Sequence, residues 1–503
     1  MSKGGINISP PGRVGVPSRL RGALIQINKT WPSMGYPRRL LRSDAIMTFA
    51  APELLAPAGT LKNMRYAFAY GADAVYAGQP RYSLRVRNNE FDHANLALGI
   101  AEAQAMGKRF YVVVNIAPHN AKLRTFLKDL EPVIAMAPDA LIMSDPGLIM
   151  LVRRHFPQMP IHLSVQANTV NWASVEFWQQ QGLSRIILSR ELSLEEIAEI
   201  REQVPAMELE VFVHGALCMA YSGRCLLSGY LNKRDANQGS CTNACRWKYS
   251  AQPAVENAVG DIVQTYQPEP TLGLGAPTDQ VFLLQEANRP EASMPAFEDE
   301  HGTYIMNAKD LRAVQHVERL ARMGVHSLKI EGRTKSHFYC ARTTQVYRRA
   351  IDDAVAGREF DRSLMTDLES LAQRGYTEGF LRRHVHDEYQ NYQNGSSVSE
   401  RQQFVGELTG ERRERLAEVR VKNRFGLGDH LELMTPKGNF HFDLHQLQNA
   451  KGQGIEVAPG DGHVVYVPIP DAVDLRFGLL MRDVRPVGAS LLAMASDQPN
   501  SFD

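Results

Sequence analysis

The run ELEVFVHGALCMAYSGRCLLSGYLNKRDANQGSCTNACRWKY, residues 208–249, decides how the chain is read. It opens as a strand: Leu209, Val211 and Val213 alternate with Glu210, Phe212 and His214 up to Gly215. Cys218, Cys225, Cys241 and Cys245 follow, and only Cys340 lies outside this window. Gly229, Asn232, Asp235, Asn237, Gly239 and Asn243 make the stretch turn-rich, so the thiols can fold back on one point. Cys241 and Cys245 are four residues apart, which one helical turn places on the same face.

Upstream, apolar strand-like runs recur at 54–56, 74–76, 110–116, 140–143, 161–165, 185–188 and 209–213. Helical patterns stand between them, including 125–137, 148–155, 175–181 and 194–204, the last opened by a Ser193/Glu196 capping box. Continuous apolar strands separated by helices predict a parallel sheet buried on both faces. An eighth unit is expected downstream: a helix at 310–323, a strand at 327–330 and a helix at 336–356. Eight units predict an α/β fold closed as a (β/α)8 TIM-like barrel over residues 51–383, with a cysteine-rich insertion at about 216–303. No G-x-G-x-x-G follows the first strand, which argues against a dinucleotide-binding sheet.

Residues 1–50 are rich in Pro, Gly and Arg, with eight basic residues against the single acid Asp44. They are expected to be a disordered basic extension rather than a signal peptide; a basic arm on RNA phosphates is the alternative. Residues 246–303 read as an irregular segment covering the cysteines. The polar stretch 384–402 reads as a linker, residues 403–490 as a small C-terminal all-β barrel, and 491–503 as a tail. Arg412, Arg413, Arg415, Arg420, Lys422 and Arg424 give that domain a candidate RNA-binding face.

The net charge is +1, so any nucleic-acid surface must come from local clustering. No apolar run reaches the roughly 18 residues of a membrane helix, and a cytoplasmic location is expected. That compartment argues against disulfides. Buried free thiols are the plain alternative to a metal centre. The lack of C-x-x-C pairs favours an iron–sulfur cluster over structural zinc, without excluding zinc.

The run EVFVHGALCMAYSGRCLLS followed by NQGSC, with PELLAPAGTLKNMRYAFAYGADAVYAG near the start, SLKIEGR and KNRFGLGD, resembles the collagenase-like peptidase family of unassigned mechanism. The likeness runs from Pro52 to about Arg485 and is strongest with its tRNA-modifying branch. It implies hydroxylation of C5 of the wobble uridine of tRNA, giving 5-hydroxyuridine, with prephenate as co-substrate. It also implies a 4Fe-4S cluster on Cys218, Cys225, Cys241 and Cys245, supplied by iron–sulfur assembly machinery, and the tRNA anticodon arm as partner. Cys340 is the alternative fourth ligand. Proteolysis, or hydroxylation of another RNA, is the competing reading; no G-x-S-x-G or H-E-x-x-H is present.

A (β/α)8 barrel carries its site at the C-terminal strand ends. The polar residues there are Gln79, Arg81, Asn115, His119, Ser144, Asp145, Gln166, Asn168, Arg190, Glu191, His214, Lys329, Glu331 and Arg333. Arg81, Arg85 and Arg87 suit carboxylates or phosphates. Lys329, Glu331 and Arg333 alternate, so they are expected to project in one direction. The expected catalytic set is His214, Glu331, Arg190 and Glu191. The expected binding set is Arg81, Arg85, Arg87, Asn115, Gln166, Lys329 and Arg333. A helix-capping role is the alternative for Asp145 and Asn168.

Overall fold

The computed structural model describes residues 49–79, 81–84, 89–217, 221, 224, 309–373, 375–382 and 401–484, and the backbone of five short strands between 254 and 304. Strands β1 (Glu53–Pro57), β2 (Ala74–Gly78), β3 (Arg109–Val114), β4 (Ala140–Met143), β5 (Ile161–Leu163), β6 (Arg185–Ile187) and β7 (Glu208–Ala216) pair in parallel in sequence order. The five insertion strands are β8 (Ala254–Glu256), β9 (Ile262–Gln264), β10 (Phe282–Gln285), β11 (Ser293–Asp299) and β12 (Gly302–Tyr304). They form one antiparallel pair and one three-stranded antiparallel sheet, so the segment expected to be irregular contains strands. Then come β13 (Asp310–Arg312), β14 (Ser327–Ile330) and β15 (Tyr376–Thr377). Strand β14 closes the barrel by pairing with both neighbours: Leu328 lies opposite Leu54 of β1 and Val211 of β7.

The helices are α1 (Leu61–Ala69), α2 (His93–Ala105), α3 (Asn120–Ala135), α4 (Pro146–His155), α5 (Trp172–Gln180), α6 (Leu194–Gln203), α7 (Val317–Arg322), α8 (His337–Val355) and α9 (Ser363–Glu369). Side-chain caps set the starts of six of them: Thr60, Asp92, Asp145, Asn171, Ser193 and Ser336 each accept from a backbone N–H of the first turn. Asp145 accepts from Leu148 N at 2.8 Å, and Ser193 and Glu196 make the expected reciprocal box. The helix expected at 310–323 begins only at Val317, because Asp310–Arg312 instead adds antiparallel to β7, with Leu311 opposite Gly215. Tertiary strand pairing there overrides a helical pattern.

The C-terminal domain is an antiparallel seven-stranded sheet built on β16 (Gln402–Arg413), β17 (Leu416–Val421), β19 (His430–Thr435), β20 (Gly438–Asp443), β21 (Gln448–Asn449), β23 (Val464–Pro468) and β24 (Leu479–Asp483). A ribbon of β18 (Phe425–Gly426) and β22 (Val457–Ala458) completes it. Inward Val405, Val419, Val421, Leu431 and Leu480 form its own core.

It is bound to the barrel through α8 and α1. Arg342 makes a two-pronged pair with Glu432 at 2.9 and 2.7 Å, both side chains buried, and Tyr70 donates to Phe477 O at 2.8 Å. Glu407 takes Lys62 at 2.5 Å and lies 3.1 Å from His337; His337 first, then Lys62, holds its carboxyl down at about 2. Among the described residues no helix is long and apolar enough to cross a membrane.

Candidate active site at the barrel mouth

The barrel interior is charged. Glu53, Arg185, Glu210 and Lys329 are all buried inside it. Arg185 lies 2.5 Å from Glu53 and 3.3 Å from Glu210; Lys329 Nζ donates to Glu210 at 2.7 Å. Tyr111 and Ser327 also donate to Glu53. Two carboxylates thus balance two cations, which a dry interior requires. Burial pushes the Lys329 ammonium below the ordinary lysine range, against the pull of Glu210.

Tyr76 and Phe212 form a floor above this layer. The Lys329 nitrogen lies 4.3 Å from the Tyr76 ring centre and 5.5 Å from that of Phe212. The Arg190 guanidinium stacks 3.8 Å from the Phe212 centre, and that of Arg333 lies 5.9 Å from the Tyr76 centre. Arg190 Nη2 pairs with Glu331 at 3.0 Å, and among the described residues its other N–H groups have no hydrogen-bond partner. Arg333 donates to Leu84 O and packs so closely on Gly78 that a Cβ there would strike its guanidinium. Opposite, Asn115 Nδ2 donates to Gln166 Oε1 at 2.9 Å and Ser164 Oγ at 3.2 Å, while Ser144 donates to Asn115 O at 3.1 Å. A cationic well on an aromatic floor, rimmed by amides, suits a planar, anionic or amide-bearing ligand.

The expected residues divide accordingly. Arg190, Glu331, Arg333, Asn115 and Gln166 come together at the mouth. Lys329 lies beneath the floor, so it does not project alongside Glu331 and Arg333 as the alternation suggested. Glu191 accepts from Ser189. Gln79 is buried and accepts from the backbone N–H of Arg81 and Tyr82, a loop-shaping role. Arg81 is half exposed and paired with Asp129 at 2.6 Å. His119 is exposed ahead of α3 without capping it. Asn168 adopts a left-handed φ of 52° and accepts from Arg224 at 3.0 Å. Arg85, Arg87, Cys218, Cys225, Cys241 and Cys245 lie outside the described residues. Glu53, Arg185, Glu210, Tyr76 and Phe212 are structure-revealed additions; their signal was charged or aromatic residues at alternate positions of otherwise apolar strands.

His214 is turned away from the mouth. Lys329 pairs with Phe212 but Ile330 pairs with His214, so Val213 is an extra residue in β7. That bulge moves His214 from the inward face of Glu210 and Phe212 to the outward face of Ile330. Its ring then lies 5.5–5.8 Å from those of Tyr339, Tyr347 and Tyr376. Gly215 completes the bulge at φ 109°, where a Cβ would come 2.5 Å from Glu331 O. Burial lowers the His214 pKa from 6.5 to about 3. The folded chain therefore keeps His214 neutral while the unfolded chain takes up a proton below about 6.5. Stability is full above that pH, falls as pH drops toward about 3, and levels below it, at about 1.4 kcal/mol per pH unit. Urea unfolding at pH 7.5 and 5.5 should show the loss, and His214→Phe should flatten it. His162, buried beside Arg185 and Lys329 and also pushed well down, contributes in the same direction. A slope identical in the variant would contradict this.

Cys340 is fully buried, its Sγ 3.4 Å from Pro57 O, and burial pushes its thiol up to about 12. In this structure the thiol packs in the core against β1. Among the described residues no group of His, Cys, Asp or Glu is arranged to hold a metal ion. Most of the basic C-terminal side chains are engaged internally. Arg412 donates to Ile469 O and Pro470 O, Arg413 covers Tyr466, Arg420 pairs with Glu407 and Lys422 with Asp461. Arg415 and Arg424 remain exposed without an ion pair among the described residues.

Known proteins give a consistent context. The tRNA hydroxylation protein P of Escherichia coli is 73% identical over 438 residues, covering 86% of this chain and 97% of that protein. The protein of the same name from Haemophilus influenzae is 68% identical, covering 86% and 96%. That from Helicobacter pylori is 37% identical, covering 71% and 78%. The model of the peptidase family U32 C-terminal domain matches residues 400–482. With the peptidase family U32 model matching residues 59–391, the chain belongs to that family.

Proposed function

We propose that the protein is an enzyme that hydroxylates tRNA, acting at C5 of the wobble uridine with prephenate as co-substrate. The observation that carries this reading is the 73% identity over 97% of a relative named for tRNA hydroxylation. The mouth supports it: Arg190 and Arg333 offer a fork for an anionic co-substrate, and the amides of Asn115 and Gln166 match the edge of a pyrimidine. A base stacked in a loop must leave its stack to reach such a well. The Glu331 carboxylate fixes one edge of Arg190 and leaves the other for ligand. With tRNA as substrate, the protein works in the cytoplasm.

An iron–sulfur cluster fits the chemistry of four closely spaced cysteines on a segment leaving β7 at the mouth end. Cys218, Cys225, Cys241 and Cys245 would hold it, and it would supply redox chemistry. Cys340, protonated and packed against β1, is left out of the ligand set. One experiment addresses both points. In a strain lacking the chain, nucleoside mass spectrometry should find the C5-hydroxylated uridine gone. Wild type should restore it; Cys241→Ala, purified without oxygen, should lack the visible absorbance of the wild-type protein. Unchanged modification in the deletion strain, with cleavage of collagen-like peptide by purified protein, would favour a peptidase instead.

A further inference from the structure

The barrel and the C-terminal sheet meet at the start of α8, where their seam forms a half-open cavity of about 520 Å3. That size lies within the range of roughly 300–1,000 Å3 typical of small-ligand sites. Lys335 and Ser336 line it from the barrel side, and Gln403, Phe404 and Arg482 from the sheet. Its described lining contains no Asp or Glu. Arg482 Nη2 donates to Gln403 at 2.8 Å, and Nη1 lies 3.6 Å from Asp429, which is outside the lining. Its Nε is buried without a hydrogen-bond partner. Ser336 caps the 19-residue α8, so the positive end of a long helix opens at the same place. Phe404 stacks flat on Phe338, ring centres 5.2 Å apart and planes within 4°, giving the cavity an aromatic wall.

This place is coupled to the mouth. Tyr339 donates to Glu331 O at 2.7 Å, and Lys335 Nζ lies 5.4 Å from the Tyr339 ring. The loop after β14 thus sends Arg333 to the mouth and Lys335 to the seam.

We propose that the seam cavity holds one backbone phosphate of the tRNA, its nucleoside against the Phe404 wall, belonging to a nucleotide other than the one that reacts. The inference rests on the tRNA reading above. Cationic groups from two domains, a helix start and an aromatic surface together match a nucleotide unit, since phosphate supplies the charge and the base a stacking face. A polymer reaching both the mouth and the seam would use the C-terminal domain as part of its binding track.

The test uses the full-length protein with labelled anticodon stem–loop, Kd being measured across a salt series. Arg482→Ala and Lys335→Ala should each weaken binding roughly tenfold and lower the salt slope by about one phosphate contact. Lys335→Arg should restore affinity and Lys335→Glu should lower it further, each Kd being measured on protein whose melting curve shows it folded. In the hydroxylation assay the KM for tRNA should rise in step. Unchanged Kd and salt slope in both alanine variants, with hydroxylation still proceeding, overturns the seam assignment and leaves the enzyme reading standing. A rise in KM for the small anionic co-substrate alone also overturns it, by giving the cavity to that molecule. Wild-type protein that binds tRNA with these variant effects but never hydroxylates it sinks the enzyme reading while upholding the seam site.

Discussion

Glu210→Ala is expected to lower the unfolding free energy by about 3–5 kcal/mol, the usual cost of removing one partner from a buried ion pair. Glu210 is fully buried and receives both Lys329 at 2.7 Å and Arg185 at 3.3 Å. Without it, two cations remain inside the barrel and only Glu53 still faces them there. Arg185 keeps Glu53 and the half-exposed Glu208, so the uncompensated charge falls on Lys329. Lys329 then loses its proton or admits water, and either loosens the floor of Tyr76 and Phe212. The double variant Glu210→Leu with Lys329→Met removes both charges together and should recover most of the loss. Urea unfolding of Glu210→Ala and of the double variant measures this. A Glu210→Ala cost below about 1 kcal/mol would show that these charges are screened by water rather than buried.

Much of the frame was legible because its signals are local. Continuous apolar runs such as 140–143 have no polar face, so a doubly covered strand is the only economical reading. Ser193 and Glu196 carry their cap within four residues of sequence. What escaped depends on partners distant in sequence. Asp310–Arg312 has helical spacing, yet the edge offered by His214, Gly215 and Ala216 of β7 draws it into a strand. The single extra residue at Val213 reverses the face of His214, and nothing in ELEVFVHGA announces a bulge. Glu53 and Glu210 sit in strands that read as apolar; only the cations of β6 and β14, brought across the barrel, explain them. The basic row at 412–424 reads in sequence as a candidate RNA-binding face, but carbonyls of the 469–470 turn and the carboxylates of Glu407 and Asp461 occupy much of it.

Arg190 carries the second large expectation. Its guanidinium lies on Phe212, held on one side by Glu331, so its charge and donors are fixed before any ligand arrives. Preorganised donors of this kind typically contribute about a hundredfold to a thousandfold in rate. Arg190→Ala is therefore expected to reduce hydroxylation by about a hundredfold or more. Arg190→Lys keeps the charge but loses the planar fork, and should recover little. The Arg190–Glu331 pair is mostly buried, so Arg190→Ala also carries a folding cost, and activity must be compared at equal soluble protein.

The most direct measurement is nucleoside mass spectrometry of tRNA from cells whose own copy is deleted and which express either wild type or Arg190→Ala at equal soluble levels. C5-hydroxylated uridine restored by wild type but not by Arg190→Ala, with the variant melting within a few degrees of wild type, is the predicted result. Full restoration by Arg190→Ala would place the chemistry somewhere other than the well between β6 and β14.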